Sequence, residues 1–250
     1  MVHQRSVHYP SSDDQPMAET EEHADSMFDL IHSTRAWLAD PLAWHVHGNQ
    51  LFYYVEGDSK RSFSPDVYVI RGIPQFPKRL LWKLWEEPSA VPALVIELTS
   101  KTSVARDLGP KRELYAQLGV EEYVVFDVLR HAKHAPLRLW RHDGERLVEQ
   151  SDLHSTVLGL DLRADGPALR LVRPDGSLVP LPLARAEEEA KRAEEQTMRA
   201  DEEAKRADEA VKRADEQAMR VGEEAKRAMD LASELATALA ELQRLRDKAD

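Results

Sequence analysis

Ala93-Leu94-Val95-Ile96-Glu97-Leu98 decides the fold. It is a continuous apolar run interrupted only by Glu97, the pattern of a strand covered on both faces at the centre of a sheet. A carboxylate in such a strand is costly to bury unless a metal ion, a cation or a proton partners it. Downstream, Lys111 to Leu118 has helical spacing and Gly119 stands where a helix stops. Glu122-Tyr-Val-Val-Phe-Asp127 then reads as a second buried strand. Strand, helix and strand in this order predict a mixed α/β sheet with a helical crossover, with any chemistry near the strand ends.

Outward from this centre the pattern changes. Between Ala18 and Leu38 an irregular helical stripe of Met27, Phe28, Ile31, Trp37 and Leu38 ends at Asp40-Pro41. Gln50 to Val55 and Val67 to Ile70 read as strands, separated by turn material at Gly57-Asp58. A Pro-rich stretch from Gly72 to Pro92 carries Trp82 and Trp85, read as loop anchors. Asp143-Gly144 and Asp175-Gly176 mark two hairpins. The expected organisation is a disordered leader over 1–18, an α/β domain over 19–183 and a helical tail over 184–250.

The tail repeats with period seven from Glu187 to Ala249, nine uninterrupted heptads. A strict seven-residue period predicts a coiled-coil seam, through Ala190, Thr197, Ala204, Val211, Ala218, Ala225, Ala232, Leu239 and Arg246 at one core position. Most seam residues are alanine, so pairing should be weak and strongest near Leu235, Leu239 and Leu242. The competing reading is a solvated single helix laced by pairs three and four apart. Self-association through 187–249 is therefore an expectation about partners, separate from catalysis.

Composition narrows the chemistry. Of 250 residues 42% are hydrophobic, enough for a core, and the 32% that are charged concentrate after about residue 184. Without cysteine there are neither disulfides nor thiolate ligands, so a metal must be held by oxygen or imidazole. No apolar run approaches the roughly 20 residues needed to cross a bilayer, and the N-terminus lacks a signal-peptide apolar core; a cytoplasmic protein is expected. A net charge of −11 argues against coating nucleic acid over the whole surface, though a locally basic cleft is compatible with it.

Three polar residues stand where apolar ones would be ordinary: Asp66 directly before the strand Val67–Ile70, Glu97 inside the central strand, and Lys111 opening the helix. Two carboxylates at neighbouring strand ends can hold Mg²⁺, and a nearby ammonium can orient water or offset developing charge. On spacing alone the signal is weak, and ordinary salt bridges are the better explanation of these residues. Arg71, Lys78, Arg79 and Lys83 form a basic cluster that reads either as a phosphate-backbone contact or as a solvated loop. Tyr115 and Tyr123 read as packing residues, and His45 with His47 lacks a third metal partner in the sequence nearby.

A resemblance sharpens this. Ser64 to Ile70, Ala93 to Thr102, Asp107 to Tyr115, Leu118 to Tyr123 and Val125 to Asp127, in this order, resemble the Uma-two family of restriction-endonuclease-like proteins of the PD-(D/E)XK superfamily, over roughly residues 25–185. That resemblance implies a restriction-endonuclease-like mixed sheet flanked by helices and a Mg²⁺- or Mn²⁺-dependent endonuclease acting on DNA. Asp66 and Glu97 would be metal ligands, with the Thr99 backbone carbonyl as a third. The superfamily lysine usually follows the glutamate by two residues, but position 99 is Thr99. The role falls on Lys111, with Lys101 as the rival and Asp107 supporting Lys111. An acid of the first helix, Glu21, Glu22 or Asp25, is a further candidate. The alternative function is a catalytically silent scaffold of the same fold that works through its coiled coil.

Overall fold

The computed structural model describes residues 7–12, 20–129 and 135–246. In chain order its elements are α1 (Glu21–Leu38), β1 (Trp44–His47), β2 (Phe52–Tyr53), β3 (Ser62–Phe63), β4 (Val67–Arg71), β5 (Trp82–Lys83) and β6 (Leu94–Thr99). There follow α2 (Val104–Arg106), a π-helical turn (Asp107–Lys111), α3 (Arg112–Leu118), β7 (Glu122–Asp127), β8 (Leu137–His142) and β9 (Leu147–Glu149). The last elements are β10 (His154–Ser155), β11 (Leu160–Asp165), β12 (Ala168–Val172) and α4 (Pro182–Arg246).

The main sheet has six strands in the order β1-β4-β6-β7-β8-β9. Only β6 and β7 are parallel, joined by the α2–α3 crossover; the other pairs are antiparallel. Because successive side chains alternate between faces, each central strand feeds two cores. Val67, Val69, Leu94, Ile96, Val124 and Phe126 pack with Met27, Leu30 and Ile31 of α1 and with leucines of β11 and β12. Tyr68, Ile70, Val95, Tyr123 and Val125 pack with Tyr115 of α3, Phe52 and Trp82. The expected α/β class and doubly covered centre are the observed architecture.

α1 begins where the Thr20 hydroxyl accepts the His23 amide hydrogen, with Glu21 and Glu22 in its first turn, and ends at Ala39 in the left-handed region. The α2–α3 segment is one continuous coil that starts earlier than the expected Lys111. Its turn widens around Pro110, which lacks the N–H needed for an ordinary helical bond. Gly119 closes it with φ 81°, and the hairpin at Asp143-Gly144 joins β8 to β9 as expected. At Asp175-Gly176 the return amounts to a single bridge between Val172 and Leu178.

Several short elements depart from the sequence expectation. Gln50 to Val55 yields only the two residues of β2, which belong to a separate sheet ordered β3-β2-β5. Trp82, expected in a loop, is a fully buried strand residue of that sheet. β1 has no apolar run to announce it, yet it forms the edge of the main sheet. Its outward peptide groups are met by side chains, Val46 N donating to Gln75 Oε1 at 3.0 Å and Val46 O accepting from Arg35 Nε at 2.8 Å. That capping closes an edge otherwise open to further strand pairing. A third sheet, β10-β11-β12, completes the first core.

Of the leader expected to be unstructured, residues 7–12 lie against the small sheet, and the remainder falls outside the described residues. Tyr53 Oη donates to the Pro10 carbonyl at 2.7 Å, and the Tyr9 ring meets Tyr53 and Trp85. The chain divides into two compact units, residues 1–185 and 186–250. Within the second, α4 exposes its heptad seam, with Val211, Leu235, Leu239 and Leu242 all more than half exposed, and carries i,i+4 pairs such as Arg206–Glu202. Among the described residues no helix is long and apolar enough to cross a membrane.

Candidate active site

The antiparallel register of β4 on β6 pairs Val67 with Ile96 and Tyr68 with Val95. Continued by one residue, it sets Asp66 opposite Glu97. There the backbone ladder stops and the Asp66 side chain replaces it: Oδ2 accepts the Leu98 amide hydrogen at 2.8 Å. A tight crossing holds Asp66 from behind. Asn49 N donates to the Pro65 carbonyl at 2.8 Å, and a Cβ placed on Gly48 would lie 1.9 Å from the Asp66 carbonyl oxygen. Only glycine allows that approach.

Glu97 points to the opposite face from Ile96 and Leu98, toward α3, and is almost completely buried. Its two oxygens have different partners. Oε1 accepts from Tyr115 Oη at 2.6 Å, and Oε2 pairs with Lys111 Nζ at 2.8 Å. Lys111 Nζ also lies 3.3 Å from Asp107 Oδ1, one turn earlier. Tyr115 stands four residues after Lys111, so both reach Glu97 from one face of the coil. Tyr123 Oη donates to the Asp107 carbonyl at 2.9 Å and fixes the π-helical turn to β7.

The electrostatics follow from burial and crowding. Burial pushes the Glu97 carboxyl up to about 8; Lys111 opposes that rise, while Asp66 and Asp107 add to it. For Lys111 burial disfavours the charge, yet Glu97, Asp107 and Asp66 together hold the ammonium above its ordinary range. At Asp66 burial works against ionisation, but His23, Lys111 and the Leu98 amide outweigh it and keep the carboxyl below its usual value.

The structure thus brings Asp66, Glu97, Asp107 and Lys111 into one cluster. Lys101 is not part of it: β6 ends at Thr99, and Lys101 sits exposed in the following turn. Thr99 ends the strand with its hydroxyl on the Ser103 hydroxyl at 3.2 Å. The acids considered on the first helix, Glu21, Glu22 and Asp25, are exposed. That helix contributes His23 instead, whose Nε2 donates to the Leu98 carbonyl at 2.9 Å and lies 3.6 Å from Asp66 Oδ2. Two groups escaped the sequence reading, His23 and the Tyr115 hydroxyl. The available signal was a histidine on the otherwise apolar face of α1; nothing in the local sequence marked Tyr115.

Of the basic cluster, Arg71 pairs with Glu121, Arg79 with Glu87 and Lys83 with Glu86, leaving Lys78 with no ion pair among the described residues. Lys111, the one partly exposed member of the buried cluster besides Asp66, lines a cavity of about 340 Å³ together with Ser62, Ser64 and Arg106. The cluster borders this cavity through Lys111.

The donor set fits a hard divalent cation. Ionised, three carboxylates against one ammonium leave two negative charges, which a divalent ion would balance, and the donors are oxygen. Among the described residues there is no preformed cluster of three or more metal-ligating side chains. Mg²⁺ tolerates this, since it binds through one or two carboxylates and keeps several waters.

The fold is a mixed sheet with an acidic pair at the junction of two central strands and a lysine from the crossover helix. The chain belongs to the Uma2 family, described as "Putative restriction endonuclease", whose sequence model matches residues 7–164. That span begins earlier and ends earlier than the resemblance suggested. Among solved structures, a "putative nuclease belonging to DUF820" from Anabaena variabilis ATCC 29413 is similar at 12% identity and a TM-score of 0.40. That likeness covers 65% of this chain and 78% of the other. No curated protein matches the chain.

Proposed function

We propose that the Asp66–Glu97–Lys111 cluster hydrolyses phosphodiester bonds of DNA with Mg²⁺ or Mn²⁺. The observation that carries this reading is the 2.8 Å contact between Lys111 Nζ and the buried Glu97, which the strand register continues opposite Asp66. Asp66 and Glu97 would hold the ion, with the Thr99 carbonyl as a third ligand. Bound there, a divalent ion polarises a scissile phosphate and lowers the pKa of a coordinated water.

The protein's own groups do the rest. Glu97 and Asp107 grip Lys111 from two sides, so the ammonium is fixed before substrate arrives. A fixed cation facing the cavity stabilises charge that develops on a phosphoryl oxygen, without reorganisation during the reaction. Tyr115 occupies the remaining Glu97 oxygen and holds the carboxylate plane. His23 and Asp66 clamp the Leu98 peptide from both ends, which fixes the strand beside Glu97.

The test is purified full-length protein with supercoiled plasmid and Mn²⁺, alongside labelled RNA and DNA oligonucleotides. Wild type is expected to nick the plasmid, Glu97→Ala and Lys111→Ala to lose nicking, and Lys101→Ala to keep it. Nicking by Glu97→Ala equal to wild type, or none with any divalent metal, would overturn the reading in favour of a silent scaffold acting through residues 187–249. Preference for the RNA substrate would move the same site to a different nucleic acid.

A further inference from the structure

Outside edge strand β1 lies a second cavity of about 180 Å³, walled by Arg35, His45, His47, Lys78 and Arg79, with no carboxylate among the described residues of its lining. That is an unusual concentration of cationic side chains in a chain with 45 acidic and 34 basic residues. Several cations elsewhere in the α/β unit have acids beside them, as in Arg71–Glu121, Arg138–Glu149 and Arg141–Glu122. Arg35 and Lys78 have none among the described residues. Arg79 is already neutralised by Glu87 and stacks on Trp82 with its guanidinium carbon 4.6 Å from the ring centroid. Three cations less the one paired with Glu87 leave two uncompensated positive charges.

The walls are held in place without a ligand. Arg35 spends its Nε on the Val46 carbonyl, and among the described residues its terminal amino groups are left for another acceptor. Gln75 is fixed by Val46 N, and Gln50 donates to the Arg79 carbonyl. Burial holds the Arg35 guanidinium below its ordinary range, as expected for a half-buried cation lacking a counter-ion. His45 donates through Nδ1 to the Pro74 carbonyl at 3.0 Å, and burial keeps both His45 and His47 below the usual imidazole range. The positive charge therefore comes from Arg35 and Lys78. At the rim Phe76 is 63% exposed, an aromatic face of the kind on which an unstacked base rests.

We infer that this cavity is a phosphate subsite, built to hold a non-scissile phosphate of a nucleic-acid strand with its base against Phe76. The inference rests on the proposed nuclease reading and extends it. The placement on the sheet supports the same strand serving both sites. His47 is paired with Tyr68, two residues beyond Asp66 on the neighbouring strand, which is about 7 Å along the sheet at roughly 3.3 Å per residue. A phosphate anchored there would set how the strand enters the Asp66–Glu97 cluster. Phosphate chemistry is common to a nucleic-acid backbone and to free inorganic phosphate, and the two sources are separable by experiment.

Binding is measured in EDTA, so that it does not depend on hydrolysis, by fluorescence anisotropy of a labelled single-stranded DNA oligonucleotide with full-length protein. Lys78→Glu and Phe76→Ala alter exposed side chains and should fold normally; Arg163→Glu, on the exposed face of β11, controls for net charge. Each of the first two is expected to weaken binding about tenfold, the loss of one charge-assisted or stacking contact. Lys78→Glu should also flatten the salt dependence by about one unit of slope, with Arg163→Glu unchanged. Oligonucleotide affinity equal to wild type in both Lys78→Glu and Phe76→Ala overturns the inference. So does calorimetric binding of inorganic phosphate that is lost in Lys78→Glu while oligonucleotide binding persists, since the cavity then serves a free anion. If plasmid nicking fails but the EDTA binding losses appear, the subsite stands and the hydrolytic reading falls.

Discussion

Glu97 and Glu122 occupy the adjoining parallel strands β6 and β7 and are buried to the same degree. Glu122 lies at the start of its strand, opposite Leu94, and every neighbour donates to it: Ser155 Oγ at 2.5 Å, Thr156 N at 2.8 Å, Thr156 Oγ1 at 2.7 Å and Arg141 Nε at 3.3 Å. Glu97 lies toward the end of its strand with two donors, Tyr115 and Lys111, and with Asp66 and Asp107 as like-charged neighbours. A structural carboxylate is saturated by hydrogen bonds. A carboxylate set aside for chemistry is left short of donors beside other acids. Under the proposed function a divalent ion would make up that deficit. Its position near the carboxyl ends of parallel strands is also where α/β sheets present ligand sites.

The largest effect that would break this contrast is catalytic. Glu97→Ala should lower plasmid nicking by about 10²–10⁴-fold, whereas Glu122→Ala should leave the rate per folded molecule unchanged. In denaturant unfolding the ranking reverses. Glu122→Ala strands several buried donors and should lose about 3 kcal/mol, while Glu97→Gln should be neutral or stabilising, because the neutral side chain removes the repulsion from Asp66 and Asp107.

The acid–base contrast has a sign. Glu97 in the fold sits at about 8, above its ordinary 4.5. Its protonated form is therefore favoured by folding; the resulting stability is fully present below pH 4.5 and is lost as pH rises through 8. Metal-free wild type should lose thermal stability between about pH 5 and 9 to a degree that Glu97→Gln does not. Matching profiles for the two proteins would remove the distinction between the two glutamates.

Smaller effects test the supports. Gly48→Ala drives a methyl into the Asp66 carbonyl, so either the Asp66 loop shifts or the fold weakens by about 2 kcal/mol. Nicking should fall with a Mn²⁺ requirement moved to higher concentration. Tyr115→Phe removes one donor from Glu97 at nearly constant volume and should change stability by about 1 kcal/mol, with a shifted pH–rate profile as the more sensitive readout.

Much of the site was legible because burial is written into long apolar runs. Glu97 announced itself as the one carboxylate in an otherwise apolar strand, and Asp66 and Lys111 followed from their place beside strand and helix starts. The contacts that convert those three into a cluster were not legible. His23 meets Leu98 across 75 positions, and Tyr115 meets Glu97 across 18. Short strands hid for a related reason. β1, β2, β3 and β5 have between two and four residues, too few to show alternation, and owe their extended form to neighbours.

By itself the sequence determined which segments must be buried, where the central strands run, that the tail is a heptad helix, and which carboxylates stand out of place. Tertiary structure alone decided which lysine meets Glu97, since strand β6 ends before Lys101 while the coil returns Lys111 to it. It alone also decided that Arg35 from α1 and Lys78 from a loop share one cavity. The reason is the range of the forces concerned. Hydrophobic patterning acts through local periodicity and can be read along the chain. Charge and hydrogen bonding act over a few ångströms in space, so they become definite only when distant segments have been packed together.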